Sequence, residues 1–347
     1  VITSFRLSLS FTVLATFLIG SLTLGNTTDY SVVINEIHYD PDVKTELVEF
    51  VELYNTSTED IDLSGWYFSS GISYQFEAGA TLPADGYIIV VQNLFHTQAK
   101  WSNARLVLSG ELVFGPFEGK LSNEGENIRL RNADGDIIDQ VDYQLGFPWP
   151  TVGDAVPDNQ PGNGHSIQLV NPYLDNDLAG SWRSAYPTPT EQNSSVYLEN
   201  TPPHIRQVKH SPKQPKSGEV ATITAKVTDS DGVADVTLSY QIVEPGHYIN
   251  IKDSQYYTDW IDVTMHDDGL DGDAIAGDDI YCVQLQGSIQ VHRRLVRYRI
   301  TITDNGGRSL MVPYTDDPQP NFAYFVYDGV PAWYGSVRPG VTSVIEY

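Results

Sequence analysis

A chain of 347 residues is long enough for two ordinary domains, each with its own core. Its 45 Asp and Glu against 20 Lys and Arg give a formal net charge of −25, which repels phosphate backbones and anionic lipid and so argues against nucleic acid and membrane surfaces as partners. One cysteine, Cys282, excludes an intrachain disulfide framework; set between Tyr281 and Val283 in an apolar stretch, it reads as a buried structural thiol.

Residues 1–25, "VITSFRLSLSFTVLATFLIGSLTLG", place Arg6 ahead of an apolar run, the pattern of an export signal. Thr23 and Gly25 are small residues at the −3 and −1 spacing, which predicts cleavage after Gly25. An uncleaved anchor over residues 7–24 is the alternative, and the one membrane contact the sequence suggests. Everything beyond is expected to be secreted or held at the cell surface.

Strand signals follow: "VVINEI" (32–37), "ELVEFVELY" (46–54), "GYIIVV" (86–91), "ENIRLRN" (126–132) and "DIIDQVDY" (136–143), all short, rich in β-branched and aromatic residues and bounded by turn formers. Residues 86–91 read as a strand buried on both faces, whereas Ile128 and Leu130 alternating with Arg129 and Arg131 predict one wet face. "NLFHTQAKW" (93–101) is the helix candidate. Prolines and small polar residues at 189–203 predict a linker.

Clean alternation resumes beyond it. Ala221, Ile223, Ala225 and Val227, then Val236, Leu238, Tyr240 and Ile242, then Ile261, Val263 and Met265, then Val296, Tyr298, Ile300 and Ile302 each line one apolar face. One face of each strand is apolar and one wet, as a two-layer sandwich requires. "TDSDGVADV" (228–236) and "TDNGGRS" (303–309) read as the turns between them. Residues 313–347 combine prolines with many aromatics, which predicts an extended segment packing along the second sandwich or an adaptor to a further domain beyond Tyr347.

The segments "VVINEIHYDP" (32–41), "EFVELYNTSTEDIDLSGWYFSSG" (49–71), "GATLPADGYIIVV" (79–91) and "LSNEGENIRLRNADGDIIDQVDY" (121–143), in this order and spacing, resemble the lamin tail domain family. "GNGHSIQLVNP" (162–172) and "AGSWRSAYPTPT" (179–190) are similar to the closing strand and exit of its bacterial members. The resemblance, taken over 30–188, implies an immunoglobulin-like sandwich with a binding or tethering role. Nucleic-acid contact, implied by some nuclear members, is opposed here by the acidity and the export signal. Residues from about 202, through "VRYRITITDNGG" and "VPYTDDPQPNFAYFVYDGVPAWYGSVRPGV", resemble the sandwich that follows such a domain in large secreted bacterial proteins, often ahead of a spore-coat-protein-H-type (CotH-type) kinase domain. That kinase region would begin beyond Tyr347, so no phosphotransfer is assigned to these residues. The expected fold class is all-β: two tandem Ig-like β-sandwich domains, 30–188 and 204–312, after an N-terminal export signal.

The strongest candidate site is "HDDGLDGDAIAGDDIY" (266–281), with Asp267, Asp268, Asp271, Asp273 and Asp278 as candidate calcium ligands. Its glycines let the backbone fold tightly enough to converge carboxylates that would repel without a cation, and an all-oxygen shell outside a cell suits calcium. In an EF-hand frame starting at Asp267, Asp271 and Gly272 fall at positions five and six, but Gly269 leaves position three empty and Asp278 replaces the bidentate Glu. Two readings stand: a weak calcium clasp, on the order of 0.1 to 1 mM, or a solvated hairpin turn. A catalytic cluster needs a pocket and a substrate platform, for which the sequence gives no sign beside this loop.

Glu36, His38 and Asp40 invite a metal-hydrolase reading, but two ligands on one strand do not define a site, and a first strand running into a turn accounts for them. "VHRRLVRYR" (291–299) is a basic cluster whose Arg297 and Arg299 fall on the wet face by alternation. Trp66, Tyr67, Phe147, Trp149 and Pro150 are candidates for a sugar platform or for packing. Nucleotide-binding and nucleophile-elbow signatures are missing from the sequence. These readings make the chain a non-catalytic exported binding, adhesion or spacer module whose partner is a protein or surface polysaccharide, or else the accessory region ahead of a downstream enzyme domain.

Overall fold

The computed structural model describes residues 31–101, 111–152 and 164–330 in full, and the backbone of Trp333–Arg338 and Val341–Ile345. The export-signal expectation at 1–25 lies outside the described residues. Among the described residues no helix is long and apolar enough to cross a membrane.

The chain is all-β, as the alternation predicts. The first part runs β1 (Val32–His38), β2 (Phe50–Asn55), β3 (Ile61–Asp62), β4 (Tyr67–Ser70), β5 (Tyr74–Gln75), β6 (Thr81–Leu82) and β7 (Tyr87–Val91), then helix α1 (Leu94–Lys100). β8 (Val113–Phe114), β9 (Gly125–Arg131), β10 (Ile137–Gln144), β11 (Ser166–Leu169) and β12 (Trp182–Ala185) follow. One sheet has the order β12-β11-β1-β2-β7-β8 and the other β10-β9-β4-β5, with β3-β6 a separate pair. Ile34, Leu53, Ile88, Val90, Ile128, Leu130 and Val141 fill the core between them.

Every residue of β1 and β2 is buried, because the outer face of the larger sheet is covered too. At one end α1 caps it: Asn93 accepts the His96 N–H to start the helix, and Leu94 and Trp101 pack over Phe50, Ile89 and Val91. That second cover is the physical reason why 86–91 lacks alternation.

Register shifts in β1 between Ile34 and Glu36, and in β10 between Ile137 and Asp139, sit across the sandwich from one another. The irregularity leaves the Ile34 N–H without a ladder partner, and Asp139 supplies one: its Oδ2 accepts Ile34 N at 2.6 Å and Asn176 Nδ2 at 2.7 Å. Asn176 O in turn accepts the indole N–H of fully buried Trp182 at 2.7 Å. One polar chain thereby ties β12, the loop before it, β10 and β1.

The second sandwich opposes β13 (His204–Ser211), β14 (Ala221–Thr228) and β17 (Ile280–Leu285) to a sheet built around β15 (Val233–Val243). In that sheet β15 pairs β16 (Ile261–Thr264) and β18 (Leu295–Asp304), and the far edge of β18 is shared in succession by β20 (Phe322–Phe325) and β19 (Ser309–Val312). Helix α2 (Ser254–Thr258) lies in the β15–β16 connection. The alternating residues of β14, β15 and β18 form the core as expected. β16 departs from the pattern: Ile261, expected inward, is 49% exposed on this edge strand, while Met265 is buried.

Two of the less regular segments pack on the sandwiches. Residues 189–203, the expected linker, form no regular element, and Thr190 and Asn193 within them are buried against the first sandwich. The extended segment from 313 supplies part of the second sandwich, since Tyr314, Tyr324 and Val326 enter its core and β20 forms where the prolines stop. The sandwiches also touch: Phe147 stacks edge-on with Phe322 at 5.2 Å, and Tyr314 Oη donates to Pro148 O at 3.1 Å. β21 (Trp333–Arg338) and β22 (Val341–Ile345) form a separate antiparallel pair.

Candidate functional site

The Asp-rich loop joins β16 to β17, anchored where His266 and Cys282 exchange backbone hydrogen bonds. Gly272 (φ +101°) is required there, because a Cβ would come within 2.8 Å of Gln284 Nε2. Of the five candidate ligands the loop brings three together: Asp267, Asp273 and Asp278 each offer an oxygen within 4.8 Å of the others. Asp268 and Asp271 stay outside this group. Asp268 caps Leu270 N at 2.9 Å, and Asp271 presents its backbone carbonyl to the Cys282 thiol at 3.7 Å. Burial, reinforced by Asp273, Asp268 and Asp271, pushes that thiol up to about 11, which suits an inert structural role.

The three converged carboxylates already accept loop N–H groups. Asp267 takes Gly277 N at 2.7 Å and Asp279 N at 2.9 Å, Asp273 takes Gly269 N at 2.6 Å, and Asp278 takes Ile280 N at 3.0 Å. The loop closes on its own backbone donors, as turn chemistry requires. A calcium ion here would share carboxylates that already accept backbone N–H groups.

The other acids hold loops to sheets. Gln168, Glu36 and Glu52 lie in one cross-strand row on the outer face of the larger sheet, all fully buried. Glu36 accepts from Ser166 Oγ, from Thr188 N at 3.0 Å and from Thr188 Oγ1 at 2.9 Å; Glu52 accepts Thr190 N at 2.7 Å and Asn35 Nδ2 at 2.8 Å. Burial dominates these bonds and holds the Glu36 carboxyl above the ordinary range. His38, on the same face, has its ring nitrogens 3.0 Å from Val48 O and 3.1 Å from Gly164 O, and burial pushes its pKa down. With both nitrogens facing carbonyls and Asp40 engaged by Lys44 and Asn123, the Glu36–His38–Asp40 triplet does not converge on a metal.

Glu49 follows the same logic: buried, it accepts Leu121 N at 2.8 Å, and desolvation pushes its carboxyl up to about 7. The folded state therefore keeps a proton that the unfolded chain loses near pH 4.5, so this group's contribution to stability declines as pH rises from about 4.5 to about 7. In Glu49→Gln that slope disappears. Across this window the stability of the variant relative to wild type, read by urea unfolding at a series of pH values, is expected to rise and then level off.

Arg297 and Arg299 of the basic cluster are covered and not on an open wet face, while Arg293 is exposed. Residues 244–260 cross the outer surface of β18, leaving Arg297 only 5% exposed with its guanidinium 5.2 Å from the Tyr248 ring centroid, and Arg299 3.6 Å from that of Trp260. Alternation alone could not show this cover. Beside it lies a groove of about 620 Å³ lined in part by Tyr248, Leu295, Arg293, Phe325 and Tyr327. Trp149 packs on Trp182 inside the first sandwich and Phe147 in the seam, so neither is a sugar platform. A second acid cluster, Asp229, Asp231 and Asp304, escaped the sequence reading because its members come from two separate turns. The Asp229-x-Asp231 spacing was the available signal.

An all-β pair of sandwiches with acids serving as ties is the class these features define. Residues 26–144 match the Lamin Tail Domain family, the segment in which β1, β2, β4, β7, β9 and β10 lie. No curated protein matches the chain. Among solved structures, it is similar to a tetra-tandem repeat from the extending region of a large adhesion protein (8% identity, 84% of this chain, 48% of that chain, TM-score 0.21). It is also similar to a purple acid phosphatase from yellow lupin (Lupinus luteus) seeds (9%, 86% and 41%, TM-score 0.24) and a Ca²⁺-stabilized adhesin of an Antarctic bacterium (10%, 88% and 76%, TM-score 0.21). The chain spans less than half the length of the first two, and likenesses at these TM-scores define neither a shared fold nor a shared role.

Proposed function

We propose that the chain is a non-catalytic exported binding or spacer module. The supporting observation is how its perturbed acids are used. Glu36, Glu49 and Asp139, the carboxyls held above their ordinary range inside the first sandwich, each accept backbone N–H groups from loops or neighbouring strands. A general acid needs its proton facing a substrate, whereas these groups fasten the fold. The seam through Phe147, Tyr314 and Phe322 and the docked segment after Thr188 suit a unit that holds the two sandwiches in a set relation while loops engage a protein or surface polysaccharide. The resemblance of the later residues extends this reading to the accessory region of a larger secreted CotH-type kinase protein, tested by following the reading frame past Tyr347.

The purified chain, assayed with Mg²⁺, Mn²⁺, Zn²⁺ or Ca²⁺ on phosphodiester, phosphomonoester and ester chromogenic substrates, is expected to give no turnover above buffer. It is expected to bind immobilised surface polysaccharide or protein saturably. Metal-dependent turnover that His38→Ala abolishes would overturn the reading.

A further inference from the structure

The turn after β14 and the turn after β18 meet at one end of the second sandwich. Asp229 and Asp231 come from the first and Asp304 from the second, and each offers a carboxylate oxygen within 4.8 Å of the other two. Among the described residues no Lys, Arg or His ion pair reaches them. Asp304 is 1% exposed; its Oδ1 accepts Arg308 N at 2.7 Å, but its Oδ2 is buried with no hydrogen-bond partner. A buried carboxylate oxygen without a donor costs free energy unless something positive reaches it.

The neighbouring segment adds a second orphan. Asn200, in the stretch joining the sandwiches, lies against Gly306: a Cβ there would come 2.1 Å from Asn200 Nδ2 and 2.8 Å from Asp231 Oδ2. Asn200 Oδ1 is also buried without a partner. Glycine at 306 lets the amide and the carboxylate sit side by side without moving. Three crowded acids, one of them carrying the unpartnered Asp304 Oδ2, form a donor set of oxygen alone.

We propose that Asp229, Asp231 and Asp304 bind one divalent cation of the calcium class, and that the ion fastens the turn after β14 to the end of β18. Calcium–oxygen bonds of 2.3–2.6 Å let two ligands on one ion stand as far apart as about 5 Å, which accommodates oxygens lying within 4.8 Å of one another. Here too backbone donors are engaged, since Asp229 Oδ1 accepts Asp231 N at 2.9 Å and Asp304 Oδ1 accepts Arg308 N; the buried, unpartnered Asp304 Oδ2 is what sets this cluster apart from the 266–281 loop.

The test is calcium titration of the purified full chain by calorimetry, with thermal unfolding in calcium and in excess chelator. Asp304→Asn keeps an acceptor for Arg308 N, and Asp231→Asn, at an exposed position, serves if the first variant fails to fold. Each is expected to lower the stoichiometry by one ion or weaken that step at least tenfold, and to shrink the calcium-dependent rise in Tm. Asp267→Asn combined with Asp273→Asn is expected to leave the step intact. Absence of uptake by the wild-type chain at about 10 mM calcium, above the weakest extracellular sites, overturns the proposal, as does uptake that survives both Asp231→Asn and Asp304→Asn or that only the 267–273 variant removes.

Discussion

Asp139→Ala is expected to lower the stability of the first sandwich by about 3 to 5 kcal/mol, because it strands buried donors on both sheets at once. Ile34 N and Asn176 Nδ2 both donate to Asp139 Oδ2, and Gln140 N to its Oδ1. The register shift at Ile34 means that no neighbouring strand can take over its N–H. Asp139→Asn retains an acceptor and should cost far less, about 1 kcal/mol. Urea unfolding followed by tryptophan fluorescence and far-ultraviolet dichroism reads both. A loss below about 1 kcal/mol for the alanine variant would show that the Ile34 N–H finds another partner.

Trp182→Ala is expected to cost about 3 to 5 kcal/mol as well. Trp182 is fully buried, packs 6.2 Å from Trp149 and donates to Asn176 O. Its removal leaves a cavity in the core and an unpaired carbonyl on the residue that also supports Asp139. The two substitutions share Asn176, so the double variant should lose less than the sum of the singles by about 0.5 kcal/mol or more. Strict additivity would show that the two ends of the polar chain act independently.

Much of this fold was legible in the sequence. Alternation at Ala221 to Val227 and at Val296 to Ile302 survives into the structure because each of these strands turns one face to the core between the sheets. The unbroken apolar run at 86–91 was legible as a strand covered twice, and α1 as the short helix beside it. What covers a face was not legible. Arg297 alternates like a solvent residue, and only the crossing of residues 244–260 buries it. Of the candidate site, the convergence of Asp267, Asp273 and Asp278 followed from the glycines between them, while Asp268 and Asp271 turn to local backbone partners that composition does not reveal. The Asp229–Asp231–Asp304 group depends on two turns meeting in space, which only the strand order brings about.

The burial of Thr190 and Asn193 bears on where the first module ends as a transferable piece. A cut at residue 188 would strip Glu52 of the Thr190 N–H and Asn35 of Asn193, exposing acids that the sheet has placed out of water. Proteases drawn to proline- and serine-rich tethers should cut 189–196 slowly, since the Thr190 N–H and the Asn193 side chain anchor it to the first sandwich. Any graft of this sandwich into another protein therefore has to carry the stretch through Val196 to keep its outer sheet face closed.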